Sequence, residues 1–582
     1  MTQVLILNPP RRADGRSTLF NNATLGLASY LRRNGVSVRT EPLMGPYWID
    51  RLERLLAEHQ PTIIAISCKW WDTLFGAVEL ARLIRRRAPS VTLVAGGQTA
   101  TYFARHLVQK TEFDVVIRGD GELPLLELAK GTPSCNMVFK NLTEYPTTYV
   151  QQSGEDLRLY HDLTEIADET MLRAIGYDAP FIWTGKGCKL TCLYCAGSAL
   201  GHKKLFGRKG YMYRPVEQVL HDMEVLAPWS DGAFLFDFDP VGNPEKASYY
   251  AEIFEQLPQQ QYHTYFYCWT LPDAEFVDRI ASTFQSAFVS LDAQAYSEPH
   301  RQRLAEKRMI KPYRSDRDFE ATIAQIASYR HMDAGIYGII GLAGETRQDV
   351  DNTEQWIAHL LNTYGDGLGE LAVTPLATEP GSLVNRNPAK YGMRLLRETF
   401  EDYLEFTRLK YFGTDGIHDQ AYDPNLPHPY GVYDSNDQPG RVYHDYQRIN
   451  NRIHQTFYER REMQFNQSLQ SEGDTLTLSL HNRNQTRAVW DLIIRACGMA
   501  QKNGQKHLHI NAKNAFITVP DLEVFKLTGT HDYTLNRLPG LKRAIDARQL
   551  VVTVSAREEQ KWGAFDALGL RLNFGTDIVK AA

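Results

Sequence analysis

Short apolar runs alternate with amphipathic stretches over the first 130 residues. Strands are predicted at Val4–Leu7, Val36–Glu41, Thr62–Cys68, Val91–Ala95 and Val115–Arg118, and helices at Leu25–Arg33, Ile49–Glu58, Thr73–Arg87 and Glu122–Ala129. The strands are rich in Ile and Val and do not alternate with polar residues, the pattern of a parallel sheet covered on both faces. Such sheets bind ligands beyond the carboxyl ends of their strands. Here those ends carry Asn8-Pro-Pro10, Ser67-Cys-Lys-Trp-Trp71, Gly96-Gly-Gln-Thr99 and Arg118-Gly-Asp-Gly-Glu122. Gly96, Gly97, Gly119 and Gly121 let backbone approach a bulky ligand, and equally serve ordinary turns. The GxGxxG phosphate fingerprint is absent from these loops, so a nicotinamide or flavin site is not supported.

Residues 131–174 are Pro-, Thr- and acid-rich with weak periodicity and read as a linker. From 175 to 395 strand-and-helix alternation returns. Predicted strands are Phe181–Thr184, Ala233–Phe238, Tyr265–Trp269, Ala287–Leu291 and Leu371–Thr374, with a strand plus loop over Gly335–Thr346 and helices near Pro215–Leu226, Pro272–Ser282 and Asp349–Leu361. About six such units imply an incomplete parallel barrel. Residues 396–469 read as a helical and loop connection, with helices at Leu395–Lys410 and Tyr443–Gln464 around an aromatic, Pro- and Gly-rich segment. Residues 470–582 read as a small α+β domain, with strands at Leu476–Leu480, His507–Ile510, Leu550–Val554 and Leu570–Phe574 and helices near Arg487–Lys502 and Pro520–Leu527.

Composition narrows this little. A chain of 582 residues, 43% hydrophobic, can bury several cores. The formal charge of -5 gives no polyelectrolyte signal for nucleic acid. No apolar run reaches the ~18 residues of a membrane span, and the opening Met1-Thr-Gln-Val-Leu-Ile starts as a strand rather than a signal peptide. Of the seven cysteines, Cys68, Cys135, Cys268 and Cys497 are scattered and read as buried small hydrophobes. The other three share one loop, which suits a reducing cytoplasm.

That loop carries the chemistry. Gly185-Lys-Gly-Cys-Lys-Leu-Thr-Cys-Leu-Tyr-Cys-Ala-Gly-Ser198 puts Cys188, Cys192 and Cys195 in a CxxxCxxC pattern after the first predicted barrel strand. Three thiolates so close can hold one inorganic centre, and a 4Fe-4S cube held by three leaves one iron open. A Cys3His zinc site closed by His202, or a merely structural cysteine cluster, remains open on the residues alone. Beyond the loop, Gly201-His-Lys-Lys-Leu-Phe-Gly-Arg-Lys-Gly210 reads as a basic loop, solvated or anion-holding.

The CxxxCxxC loop with Tyr194 before its third cysteine resembles the radical S-adenosylmethionine (SAM) enzymes. The Gly-Gly and Arg-Gly-Asp-Gly-Glu loops ahead of it resemble the cobalamin-binding domain of the cobalamin-dependent branch of that family, methyltransferase type. The resemblance covers about residues 1 to 385. It implies an α/β chain: a Rossmann-like open-sheet cobalamin-binding domain, a partial (β/α)6 barrel and a C-terminal α+β domain. It implies a 4Fe-4S cluster on Cys188, Cys192 and Cys195, with SAM chelating the open iron. SAM contacts carry over to Tyr194, Asp237, Asp239, Asp292, Gln294, Gly341 and Gly344, the last two from Gly341-Leu-Ala-Gly-Glu-Thr346, which resembles the family's xGLPGET with Ala343 in place of Pro. Asp292 and Gln294 stand where the family often has Glu-Ser. Cobalamin contacts carry over to Asn8, Pro9, Ser67, Lys69, Trp70, Gly96, Gly97, Gln98, Gly119 and Glu122. The DxHxxG motif is absent, which implies cobalamin bound without a protein imidazole beneath cobalt.

The implied activity is a cytoplasmic methyltransferase that moves methyl from SAM through methylcobalamin to an unactivated atom of a small-molecule or peptide natural-product intermediate. Its electrons would come from a donor such as flavodoxin or ferredoxin, with no nucleic-acid or membrane partner. Residues 185 to 215 also resemble members acting on phosphinate natural products and the tryptophan methylase of thiopeptide pathways, where transfer can be polar. No catalytic side chain is singled out. The alternatives are a non-methylating cobalamin radical SAM enzyme catalysing ring rearrangement or cyclisation, and a non-catalytic corrinoid or cluster sensor.

Overall fold

The computed structural model describes residues 2–13, 15, 22–43, 45, 47–147, 158–169, 171–173, 180–208, 210–230, 232–238, 244–365, 367–412, 432–434, 439–481, 486–514, 550–555 and 573–574. The N-terminal sheet contains β1 (Val4–Asn8), β2 (Val38–Pro42), β3 (Ile63–Ser67), β4 (Thr92–Gly96), β5 (Val115–Ile117) and β6 (Met137–Phe139) in the order β2-β1-β3-β4-β5-β6. All pairs are parallel except β5–β6. In β1, Val4 and Ile6 enter the layer of helix Asn22–Arg33, while Leu5 and Leu7 enter the opposite layer with helix Leu74–Arg87. Burial on both faces is why these strands read as unbroken apolar runs.

Two stretches expected as connections pack into this domain. Leu159, Tyr160, Leu163, Ile166, Met171 and Leu172 are buried in the layer of helix Asn22–Arg33. Helix Phe400–Phe412 joins the other layer through Phe400 and Tyr403, and its Phe406 stacks on Trp71 at 5.4 Å between centroids. The extra strand β6 lies inside the expected linker; at three residues it is too short to carry periodicity.

The second sheet is formed by β7 (Phe181–Ile182), β10 (Ala233–Phe238), β11 (His263–Cys268), β12 (Ser286–Gln294), β13 (Met332–Ile340) and β14 (Leu368–Pro375), all parallel and in sequence order. Between β7 and β10, a hairpin of β8 (Gly185–Gly187) and β9 (Tyr211–Tyr213) brackets the cysteine loop. Phe236, Phe266, Val289, Leu291 and Ile336 belong to a core with Tyr250, Phe254 and Phe276 of the covering helices. Tyr265 and Tyr337 point to the other face, where their hydroxyls meet at 2.7 Å and Tyr337 donates to Glu370 at 2.6 Å. The sheet does not close on itself. Helix Pro439–Gln467 lies along β14, with Asn450 Nδ2 donating to the Val373 carbonyl at 3.3 Å, and covers that edge.

The C-terminal sheet runs β15 (Leu469–Glu472), β16 (Thr475–His481), β17 (His507–Asn514), β18 (Val551–Ser555) and β19 (Asn573–Phe574). Only β15–β16 is antiparallel. The helix expected near Pro520–Leu527 lies outside the described residues. No helix among the described residues is long and apolar enough to cross a membrane.

Candidate cofactor site

The cysteine loop follows the hairpin strand β8 and ends in a helix, Ala199–Phe206, that the Gly- and Lys-rich sequence had concealed. Ser198 caps it, accepting from the Gly201 amide at 3.2 Å. Cys188 and Cys192 are buried, Cys195 is half-buried, and none is disulfide-bonded. Cys188 Sγ accepts from the Leu190 amide at 3.3 Å, and Gln294 Nε2 lies 3.7 Å from Cys192 Sγ. Burial pushes the Cys192 and Cys195 thiols up, and the charge of Glu379 and of the neighbouring thiols adds to the rise at Cys195. Crowded buried thiols resist ionisation on their own, and a bound metal centre inverts that preference. Among the described residues no three His, Cys, Asp or Glu side chains converge on one point as the ligands of a single ion do. In a 4Fe-4S cube each thiolate would instead ligate a different iron.

Around this loop the end of β12 supplies a connected set. Gln294 occupies a left-handed conformation, φ 58°, at a register shift between Asp292 and Gln294. Strain of this kind gathers where structure over-determines a side chain. Its Nε2 donates to Tyr194 OH, its Oε1 accepts from the Lys311 amide at 2.7 Å, and its own amide donates to Asp292 at 3.0 Å. Lys311 Nζ pairs with Asp292 at 2.5 Å. Tyr194, Asp292 and Gln294 are thus brought together beside Cys192. Asp237 lies in β10 in register with Tyr267, and Asp239 lies outside the described residues. Gly344, φ 70°, faces open space. Gly341 does not: a Cβ there would stand 2.8 Å from Val442 of the edge-covering helix, so this glycine admits Val442.

The N-terminal domain offers its strand ends to the same region. Asn8 is buried at the end of β1; its Nδ2 donates to Thr24 at 3.3 Å, and its Oδ1 has no partner among the described residues. Pro9 is buried beside it, and Ser67 is half-buried at the end of β3. Gly96 faces open space, a cradle that a side chain would fill. Gly97, φ 108°, is dictated by packing, since a Cβ would lie 2.8 Å from the Cys68–Lys69 backbone. Lys69 Nζ sits 5.2 Å from the ring centroids of both Trp70 and Trp183, the latter just past β7.

Several interdomain contacts escaped the sequence reading because their partners lie far apart in the chain. Glu122 pairs with Lys186 at 2.5 Å, Asp120 pairs with Arg208, and Gly119 packs on Phe206. Arg208 of the basic segment is therefore buried in an ion pair, while Lys203 and Lys204 are exposed. His202 Nδ1 is buried without a partner among the described residues. Burial, then the Arg208 charge, lowers this imidazole to about 4, so it is neutral. Gln98, buried, donates to Glu379 at 3.3 Å, and Glu379 accepts from the Ala196 amide at 2.7 Å. The pattern around Glu379 held no motif that would single it out.

Comparison with known proteins agrees with this geometry. A family model described as the B12 binding domain matches residues 17–129. No curated protein matches the chain by sequence. A structure of the radical S-adenosylmethionine methyltransferase TsrM from Kitasatospora setae, with cobalamin and a [4Fe-4S] cluster bound, is similar at 18% identity and TM-score 0.50, covering 68% of this chain and 81% of that one. A second TsrM structure, with tryptophan substrate and a SAM analogue, gives 17% identity and TM-score 0.53 over 77% and 89%. A structure of the cobalamin-dependent S-adenosylmethionine radical enzyme OxsB gives 14% and 0.46 over 61% and 51%. The chain therefore joins a B12-binding domain to a partial parallel barrel, and in this it shares the fold of the two TsrM structures.

Proposed function

We propose that this chain is a cobalamin-dependent radical SAM methyltransferase acting on an unactivated atom of a small-molecule or peptide natural-product intermediate. One observation carries the reading: the three-cysteine loop and its flanks meet the strand-end loops of the B12-binding domain, directly through Glu122–Lys186 and Asp120–Arg208 and by way of Glu379 to Gln98. Cys188, Cys192 and Cys195 would hold a 4Fe-4S cluster. Tyr194, Asp237, Asp239, Asp292, Gln294 and Gly344 would line SAM. Asn8, Pro9, Ser67, Lys69, Trp70, Gly96 and Gln98 would face cobalamin. When bound, these groups supply reductive cleavage of SAM and carriage of the methyl group, while the protein supplies position and electrostatics.

The residues act in distinct ways. The Leu190 amide and Gln294 donate toward the cysteine sulfurs and set their electron density. Lys311 neutralises Asp292, so that carboxylate presents a fixed acceptor rather than a net charge to a cationic ligand. The Glu122–Lys186 and Asp120–Arg208 pairs, mostly buried, help to close the boundary between the domains against water. Lys69, whose ammonium lies 5.2 Å from the ring centroids of Trp70 and Trp183, would contribute a cation to this wall and, while protonated, no ligand to a metal.

The test is anaerobic reconstitution with iron, sulfide and hydroxocobalamin, then SAM and a reductant such as reduced flavodoxin, with nucleosides and corrinoid quantified by mass spectrometry. S-adenosylhomocysteine, 5'-deoxyadenosine and a methyl-bearing corrinoid support radical methylation. The first and last without deoxyadenosine, even with candidate substrate, indicate polar transfer. Deoxyadenosine with no methylated corrinoid indicates a non-methylating enzyme, and failure to bind any corrinoid removes the reading.

A further inference from the structure

Glu379 stands in the turn Thr378-Glu379-Pro380-Gly381 after β14. Its carboxylate accepts from the Ala196 amide at 2.7 Å, the group that follows Cys195. The same carboxylate oxygen that takes Ala196 also takes Gln98 Nε2 at 3.3 Å, from the first helical residue after Gly97. Its own amide donates to the Tyr194 carbonyl at 3.4 Å. One residue of the last barrel turn therefore grips the cluster loop on both sides of Cys195 and reaches into the B12-binding domain.

The neighbourhood is closed. Ala196, Gln98, Thr378 and Ser382 are buried, and a Cβ on Gly381 would stand 3.1 Å from both Leu205 and Tyr102. The helix after the cluster loop, the helix after Gly97 and this turn thus interlock. Burying a carboxylate among N–H donors costs desolvation, and burial holds this acid up at about 7 against the Ala196 and Gln98 hydrogen bonds. A hydroxyl or amide would satisfy the turn at less cost. The one oxygen here gathers donors from two domains at once.

We propose that Glu379 is a positioning residue that couples the cluster loop to the corrinoid-facing loop, so that a change at Gln98 is felt at Cys195. This rests on the cofactor assignment above, and it concerns the protein's own hydrogen bonds rather than turnover.

The test uses the full chain reconstituted with iron and sulfide, read by the EPR g-values of the reduced cluster, in Q98L, E379A, E379Q and the double variant Q98L/E379A. Q98L, although in the other domain, should shift the g-values, and E379A should shift them as well. Q98L should add nothing in the E379A background, because its route to the cluster is gone. E379Q, which keeps an acceptor for the Ala196 amide, should stay near the parent spectrum. Hydroxocobalamin affinity should also fall about tenfold in E379A, the loss expected for a buried charge-assisted hydrogen bond. A Q98L spectrum identical to the parent overturns the coupling, and so does a Q98L shift that persists unchanged beside E379A. If E379A takes up no cluster, the single variant Q98L still decides. A parent chain that assembles no cluster contradicts the cofactor assignment itself, and the two failures are told apart by the parent alone.

Discussion

The two walls of the interdomain region are made differently. The barrel wall is built from side chains tied to one another and to the cluster loop: Gln294 to Tyr194 and toward Cys192, Lys311 to Asp292, Glu379 to the Ala196 amide after Cys195. The wall of the B12-binding domain sets small residues at strand ends, Asn8, Pro9 and Ser67, and open space at Gly96 beside the larger Lys69, Trp70 and Gln98. The difference follows from what each would hold. A compact charged cluster demands fixed donors at short range, whereas a broad flat macrocycle demands that side chains be out of the way.

The sharpest way to break the comparison is at the sulfurs. Cys188→Ala, Cys192→Ala and Cys195→Ala are each expected to abolish the cluster's absorbance after anaerobic reconstitution while leaving hydroxocobalamin bound; an intact 4Fe-4S signal in any one removes that cysteine from the site. Next come the adjacent glycines, whose roles the structure separates. Gly96→Leu fills open space and should weaken hydroxocobalamin binding about tenfold or more with little change in melting temperature. Gly97→Ala forces a Cβ into the Cys68–Lys69 backbone at φ 108° and should instead cost about 2 kcal/mol or more of stability, read by denaturant unfolding.

These pairs also explain what the sequence could say. The cysteine loop was legible because its three ligands lie within eight residues, so the chemistry is written locally. Apart from the short β6, the strands of the N-terminal sheet were legible because burial on two faces leaves unbroken apolar runs. Gly97 and Gly341 were legible as special positions but not in purpose: one makes room for backbone and the other for Val442. Glu379 and the Asp120–Arg208 and Glu122–Lys186 pairs were not legible, since each depends on partners 64 to 281 residues away. Helix Phe400–Phe412 was expected, but its seat against Trp71 and Phe103 is a tertiary fact with no local signature.

A smaller effect should appear in the pH dependence of the cofactor-free protein. Burial raises Glu345, in the loop after β13, from 4.5 to about 8, with the Gly341 amide at 2.7 Å opposing the rise. A carboxylic acid raised on folding binds its proton more tightly in the native state, so its contribution is full below its unfolded value and is lost as pH rises through about 8. Melting temperature should therefore fall between about pH 5 and pH 8, and Glu345→Gln should flatten the fall. An unchanged slope in that variant would assign the dependence to other groups, Glu41 among them, which burial raises to about 7. Smallest is the tuning at Cys192. Gln294→Met removes the amide near its sulfur and should lower the cluster's midpoint potential by on the order of 40 mV, the worth of one hydrogen bond for a one-electron couple.

On the proposed reading, the two walls line one space. This is tested most directly by EPR of the full chain loaded with both a reduced 4Fe-4S cluster and cobalamin in its paramagnetic cobalt(II) state. Spin–spin broadening that appears only when both are bound, and is absent from either singly loaded form, is the predicted result. Two independent spectra that simply sum would mean that the centres sit apart, and would contradict the account.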